Sequence, residues 1–331
     1  MRKIKLKKIV LIATVLVFAF AVLGIIIWNQ NKEAGTTTVI GSADSDITPD
    51  IITRNNKNYK RKSNVKAVLL LGIDSEVEMQ YIQQEGSKGQ ADVIALLAWD
   101  TARDKVEIVM IPKDTITEIP VTDIEGNVTG KTLEHLGTAF DFEDGNEVST
   151  KFMKESVTDM FGGLRIDEYF EINLSAIEKL NNGVGGVEVI IPYEGMEKSD
   201  PSFVKGEKVY LTGELVEKFL RFRDTSEDFS ATKRLEIQRE YLRAYQEKVK
   251  SLNEDSIVEK LLNDIEPYSH TDMSKDMLLK LLTCVMETDN FDGESVTILE
   301  GEDKKTELYD EFYPNKEAAM TKIIELFYDM E

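Results

Sequence analysis

Residues 65–114 read VKAVLLLGIDSEVEMQYIQQEGSKGQADVIALLAWDTARDKVEIVMIPKD, and this stretch decides the fold. Positions 65–72 form a short apolar run closed by glycine, the pattern of a strand buried on both faces. Positions 92–99 are a second such run. Positions 105–111 alternate and then meet Pro112, which ends a ladder because proline has no N–H to give. The five residues 100–104 make a tight turn, so the last two strands are predicted to form a hairpin.

Working outward toward the C-terminus, strand and helix patterns alternate. Residues 148–161 have helical spacing (Phe152, Val157, Met160, Phe161) and stop at Gly162-Gly163, a C-terminal cap. Strands are expected at 169–172, at 187–191 and at 295–299. Helices are expected at 174–180, at 212–223 with a capping pattern at Thr212 and Leu215, and at 233–252, 254–265, 273–287 and 316–330. No second linker interrupts them. The pattern predicts an α/β fold: one domain over 64–331, a mixed central sheet flanked by helices.

Toward the N-terminus the character changes. Residues 1–8, MRKIKLKK, carry five positive charges and no acid. Residues 9–28, IVLIATVLVFAFAVLGIIIW, carry no charge. A helix of that length spans about 30 Å, the thickness of a bilayer's hydrocarbon core. The positive flank keeps residues 1–8 in the cytoplasm and sends the rest outward. The small-x-small triplet Ala19-Phe20-Ala21 resembles a signal-peptidase site. The apolar run continues past it to Trp28, longer than the roughly 7–15 residues of a cleaved signal's apolar region. A retained transmembrane signal-anchor is therefore expected. It places the protein at the cell membrane as a single-pass chain with an extracytoplasmic domain. Residues 29–63 are polar and read as a stalk.

The chain holds 61 acids and 40 bases, and without the five bases of the tip the exported part carries about −26. That field excludes nucleic acid as a partner for the bulk of the surface. An anionic ligand must be held by a local cluster of Arg and Lys. One cysteine, Cys284, rules out an intramolecular disulfide, and its apolar neighbours mark it as a small core residue. His135 and His270 stand apart from each other and from the cysteine, which argues against a His-based metal site.

Four clusters carry possible chemistry. Gly72-Ile73-Asp74-Ser75 follows the first strand, Asp92 opens the second, and Ile111-Pro112-Lys113-Asp114 follows the third. Arg221-Phe222-Arg223 precedes Arg234 and Gln238. Ligands of α/β sheets sit at strand ends. Two carboxylates there with no Cys or His beside them suit a hard cation such as Mg²⁺. Guanidinium forks suit phosphate oxygens. Together they describe phosphoryl transfer by positioning and charge neutralisation. Taken singly, each has a plainer reading. An Asp after a strand is a common turn residue, and arginines on an acidic protein form surface ion pairs.

The order of the clusters resembles the LytR-CpsA-Psr family of membrane-anchored cell-wall enzymes. The resemblance runs through LLLGIDS at 69–75, ADVIALL at 91–97, IPKD at 111–114 and, weakly, GTAFDF at 137–142. It continues through LNNGVGGVEVIIP at 180–192, GEKVYLTGELVEKFLRFR at 206–223 and RLEIQREYLRA at 234–244. It implies an α/β/α domain with an apolar pocket for a polyprenyl chain. It also implies a phosphotransferase that moves a glycopolymer such as teichoic acid from a polyprenyl pyrophosphate to peptidoglycan, with Mg²⁺ on the pyrophosphate. Carried over by position, Asp74 and Asp92 would hold the metal. Arg221, Arg223 and Arg234 would grip the pyrophosphate, assisted by Gln238, and Asp114 would orient or deprotonate the acceptor hydroxyl.

Several positions depart from the family pattern. The Arg before Asp114 is Lys113, the second Arg of Arg-x-x-Arg-Gln is Ile237, and the Arg after Gly-x-Asp-Ser is Glu76. Asp228 lies six residues before Arg234 rather than three. Lysine keeps a charge without the fork, and isoleucine keeps neither. Arg239 or Lys233 are the neighbours able to compensate. The alternative reading is a relative that binds lipid-linked sugar or cell wall, or regulates, without turnover.

Overall fold

The computed structural model describes residues 50–79, 89–123, 125–141, 147–222, 257–287, 295–306 and 310–331, with helical positions 237, 240, 241, 244, 245, 247–249, 251 and 252. The expected membrane span at 9–28 and most of the stalk lie outside the described residues. Among the described residues no helix is long and apolar enough to cross a membrane.

The chain opens with a hairpin, β1 (Ile51–Arg54) and β2 (Lys57–Arg61). Next come β3 (Val65–Ile73), β4 (Ala91–Asp100) and β5 (Lys105–Ile111), then a second hairpin of β6 (Ile116–Thr122) and β7 (Val128–His135). After the helix Glu147–Met160 comes β8 (Glu168–Asn173), followed by β9 (Val187–Ile190), β10 (Lys208–Leu211) and the three-residue β11 (Ser269–Thr271). The chain closes with β12 (Val296–Ile298), β13 (Gly301–Lys305), β14 (Asp310–Pro314) and β15 (Tyr328–Met330).

Six strands form the central sheet in the order β11-β8-β3-β4-β5-β12. β3, β4 and β5 are antiparallel neighbours, while β3 pairs parallel with β8 and β5 parallel with β12. The sheet is thus mixed, as the two apolar runs and the alternating third predicted. Its side chains divide by strand periodicity between two cores. Val68, Leu70, Val93, Ala95 and Leu97 face a core shared with the helices Leu174–Gly183, Glu214–Arg221, Ile257–Ile265 and Lys275–Glu287. Leu69, Leu71, Ile94 and Leu96 face a second core with the helices Glu147–Met160 and Lys316–Phe327. Burial on both faces explains why these strands read as continuous apolar runs.

Some expectations need correction. The hairpin β1–β2 occupies residues assigned to the stalk, and β2 pairs with β15, so ordered structure begins by Ile51 rather than at 64. The helix expected over 316–330 ends at Phe327, and β15 takes the rest. The helix expected from Thr212 starts at Glu214. Its N-cap is Gly213, with no side-chain bond to the helix, and Thr212 contributes only its carbonyl to the Leu215 N–H.

One polar group lies deep in the edge of the sheet. Glu171 of β8 is fully buried. It accepts from the Thr150 hydroxyl at 2.8 Å and faces His270 Nδ1 of β11 at 2.9 Å. That hydrogen bond and the carboxylate charge hold the His270 imidazole above its ordinary pKa. The three-residue edge strand β11 is fastened to β8 partly by this pair.

Candidate functional site

Strand direction brings the first three sequence clusters to one end of the sheet. β3 and β5 run toward that end and β4 runs away from it. The exit of β3, the entry of β4 and the exit of β5 therefore lie side by side, with Ile73 opposite Ala91 and Ile94 opposite Ile111. The exit of β8 joins them, since Asn173 pairs with Ile73. The register shifts after Gly72, which turns the following residues out of the ladder. The Asp74 N–H then donates to the Gln90 carbonyl at 2.9 Å. Gly89 packs so closely here that a Cβ would fall 2.6 Å from the Asp74 carbonyl oxygen, and its φ of +71° suits glycine.

Four charged side chains meet at this end. Lys113 Nζ lies 2.5 Å from Asp92 Oδ1, and both are nearly buried. Arg221, in the last turn of the helix Glu214–Arg221, places a guanidinium nitrogen 3.8 Å from Asp74 Oδ1 and also pairs with Glu217. Burial raises the Asp74 pKa, opposed by the charges of Arg221 and Lys113. Burial raises Asp92 further, to about 7, although Lys113 opposes the shift; the charges of Asp74 and Asp114 add to it. Asp92 thus sits in the fields of Lys113, Asp74 and Asp114, and Asp74 in those of Arg221 and Lys113.

Asp114 has a different partner. Its Oδ1 is 3.5 Å from His135 Nδ1 at the end of β7. Sequence reading missed this contact. It set His135 aside as isolated, because nothing local in VTGKTLEH shows that β7 folds back on the turn after β5.

Arg223, Arg234, Gln238 and Arg239 lie outside the described residues. Ile237 is described, in helical backbone and fully buried, in the same core as Tyr241, Tyr245 and Phe219. The position that departs from the Arg-x-x-Arg-Gln pattern is therefore a core position in this chain. Tyr241 donates to Asn181 Oδ1 at 2.7 Å and Tyr245 to the Leu180 carbonyl at 3.1 Å, which sets the helix against Leu174–Gly183.

The donor set bears on whether Mg²⁺ fits. Among the described residues no group of three or more His, Cys, Asp or Glu could hold a metal ion. Mg²⁺ does not need one, since it is commonly held by one or two carboxylates together with substrate phosphates and water. Asp74 and Asp92 meet that lesser requirement, and a cation arriving there would favour the ionised form of both.

Comparison with known proteins finds matches both in sequence and in fold. A family model described as the LytR_cpsA_psr family matches residues 30–324. A teichoic acid transferase of Oceanobacillus iheyensis, the polyisoprenyl-teichoic acid–peptidoglycan enzyme TagU, is 25% identical over 260 residues, 78% of this chain and 74% of that protein. The corresponding TagV of Bacillus subtilis is 26% identical over 269 residues, and the match spans 62% of its length. Among solved structures, Bacillus subtilis TagV superposes with a TM-score of 0.55 at 20% identity, covering 80% of this chain and 96% of that one. The protein gbs0355 of Streptococcus agalactiae gives 0.59 at 19%, covering 80% and 92%. A structure of TagT bound to LI-WTA gives 0.53 at 19%, covering 80% and 90%. These likenesses carry the fold.

Proposed function

We propose, from the premise that this chain belongs to the LytR-CpsA-Psr family, that it transfers a glycopolymer from a polyprenyl pyrophosphate to peptidoglycan. The observation that carries the reading is the convergence of Asp74, Asp92, Lys113 and Arg221 at one end of the sheet. The relatives' names support teichoic acid as the polymer class.

In such a transfer the acceptor hydroxyl attacks the phosphorus that bears the glycopolymer. A new P–O bond forms, the pyrophosphate bridge breaks, and polyprenyl monophosphate leaves with the bond's electron pair. The hydroxyl proton passes to a carboxylate or to water. Lys113 and Arg221 would lie along the pyrophosphate and offset charge on the leaving oxygens. Arg223, Arg234, Gln238 and Arg239 would complete the grip. Bound Mg²⁺ on Asp74 and Asp92 would supply further charge neutralisation. Asp114 would meet the acceptor hydroxyl.

The apolar, uncharged span at 9–28 and its basic flank support anchoring in the cell membrane, with residues 1–8 cytoplasmic and the domain outside. A polyprenyl donor stays in the bilayer, so tethering holds the site at the donor's surface.

The buried Ile237 supports a second reading, a domain that binds lipid-linked polymer without turnover. One experiment separates the two. The full chain in lipid vesicles is given polyprenyl-pyrophosphate-linked glycopolymer, peptidoglycan and Mg²⁺. Release of polyprenyl phosphate with polymer on the peptidoglycan supports transfer. Tight donor binding without release would retire the enzyme in favour of the binding protein.

A further inference from the structure

The turn after β5 is held by backbone bonds from three directions. Within it, the Thr115 N–H and hydroxyl both reach the Pro112 carbonyl, at 3.1 and 2.5 Å. From the segment after β7, Leu136 N–H donates to Thr115 O and Gly137 N–H to Lys113 O, both at 2.9 Å. From β14, Phe312 N–H donates to Asp114 O at 2.9 Å. Gly137 is wedged in place, since a Cβ there would lie 2.8 Å from the Ala91 carbonyl oxygen and 3.2 Å from Lys113 Cβ.

This clamp fixes the backbone and leaves each side chain to its own partner. Lys113, the cation beside Asp114 in sequence, pairs with Asp92 rather than with Asp114. The imidazole of His135 faces the Asp114 carboxylate, with side chains 15% and 26% exposed. The His135 carbonyl in turn accepts from the Thr138 hydroxyl at 2.6 Å, so the residue sits at a fixed corner.

We propose that His135 is a positioning residue for the transfer reaction: its imidazole, fixed by the bonds at 136 and 137, takes Asp114 Oδ1 and turns Oδ2 toward the acceptor hydroxyl. The inference rests on the functional reading above. The charges around the imidazole suit the role. Asp114 on the turn, Glu134 on β7 and Glu311 on β14 all favour its protonated form, with the Asp114 hydrogen bond contributing most. Held at Oδ1 by the imidazole, the carboxylate presents a fixed hydrogen-bond acceptor that orients the hydroxyl. Misplacing a reacting group by about an ångström costs on the order of a hundredfold in rate.

The test combines kinetics with titration. His135→Ala should lower kcat roughly tenfold to a hundredfold, with KM for the lipid donor unchanged. His135→Asn, which retains a side-chain donor, should recover part of the loss. His135→Ala combined with Asp114→Asn should cost little more than either alone. The chain has only two histidines, so the His135 ring is readily followed by NMR. It should titrate above the ordinary value near 6.5 and fall toward it in Asp114→Asn. That readout needs no turnover, so it tests the contact even if the transfer assay fails. Wild-type kcat in His135→Ala would overturn the proposal, as would a His135 titration indifferent to Asp114. A loss equal in KM and melting temperature, without rescue by Asn, would reduce His135 to a structural part.

Discussion

Replacing His270 by alanine should destabilise the domain by an amount that depends strongly on pH. In the native edge the fully buried Glu171, facing His270 at 2.9 Å, raises the imidazole pKa, so the folded state favours a proton on His270. For a histidine with an unfolded pKa near 6.5, that proton costs about 0.8 kcal/mol at pH 7 and almost nothing at pH 5. The stability from the raised pKa is therefore full below about pH 6.5 and is lost as pH rises through the folded value. In His270→Ala the buried carboxyl faces no imidazolium and escapes the charge by taking the proton itself. From an ordinary pKa near 4.3 this costs about 3.7 kcal/mol at pH 7 and about 1 kcal/mol at pH 5. The difference from wild type is about 3 kcal/mol at pH 7 and about 1 kcal/mol at pH 5. For a domain of this size that is a drop in Tm of about 6–12 °C and 2–4 °C respectively. Urea unfolding followed by tryptophan fluorescence suits the measurement, since Trp99 is buried in the same sheet. A cost below about 1 kcal/mol at pH 7, or an equal cost at both pH values, would refute the reasoning.

Three further outcomes are expected. Lys113→Met should weaken donor binding about tenfold to a hundredfold, the worth of a charge-assisted hydrogen bond, whereas Lys113→Arg should retain or tighten it; binding to a vesicle-borne polyprenyl pyrophosphate measures both. At limiting Mg²⁺ the transfer rate should rise as pH passes through about 7, where metal-free Asp92 ionises and can take the cation. Without metal, the stability due to neutral Asp92 should be full below its unfolded pKa of about 3.9 and should decline as pH rises toward that same value of about 7; a pH–rate profile and metal-free melts report the two opposed trends. Ile237→Arg, which restores the family's residue, should lose several kcal/mol and gain no activity, because it drives a charge into a fully buried position; a soluble, stable and more active variant would show that the helix can rotate to present it.

The central sheet was legible because β3, β4 and β5 are buried on both faces and joined by short or polar connections. Asp74, Asp92 and Lys113 were legible for a related reason, since each stands where an apolar run begins or ends. Pairings between distant residues left no such trace. Glu171 and His270 are 99 positions apart, and neither reads locally as a partner. β1 and β2 are IITR and KNYKR, too short to show a clear period; β1 becomes a strand by pairing with β2, and β2 by pairing with residues 328–330 as well. The break at Ile237 was visible as a departure, but not its cause, which is the depth of that helix face in the core. The helix ending at Phe327 looked longer because Tyr328 and Met330 keep the apolar spacing while the backbone extends.

The clasp between β2 and β15 sets a constraint on time. Tyr59 pairs with Met330 and Arg61 with Tyr328, so one side of the first hairpin has no partner until nearly the whole domain has been synthesised. A chain emerging N-terminus first must hold that strand open while some 270 further residues appear. An unsatisfied strand edge is an invitation to aggregation, and lysines along it are a common defence. Lys57 and Lys60 are exposed on β2, Lys60 opposite Asp329 in the finished sheet. In the finished protein they look like ordinary surface charges; in the unfinished one they guard the gap that residues 328–330 will close.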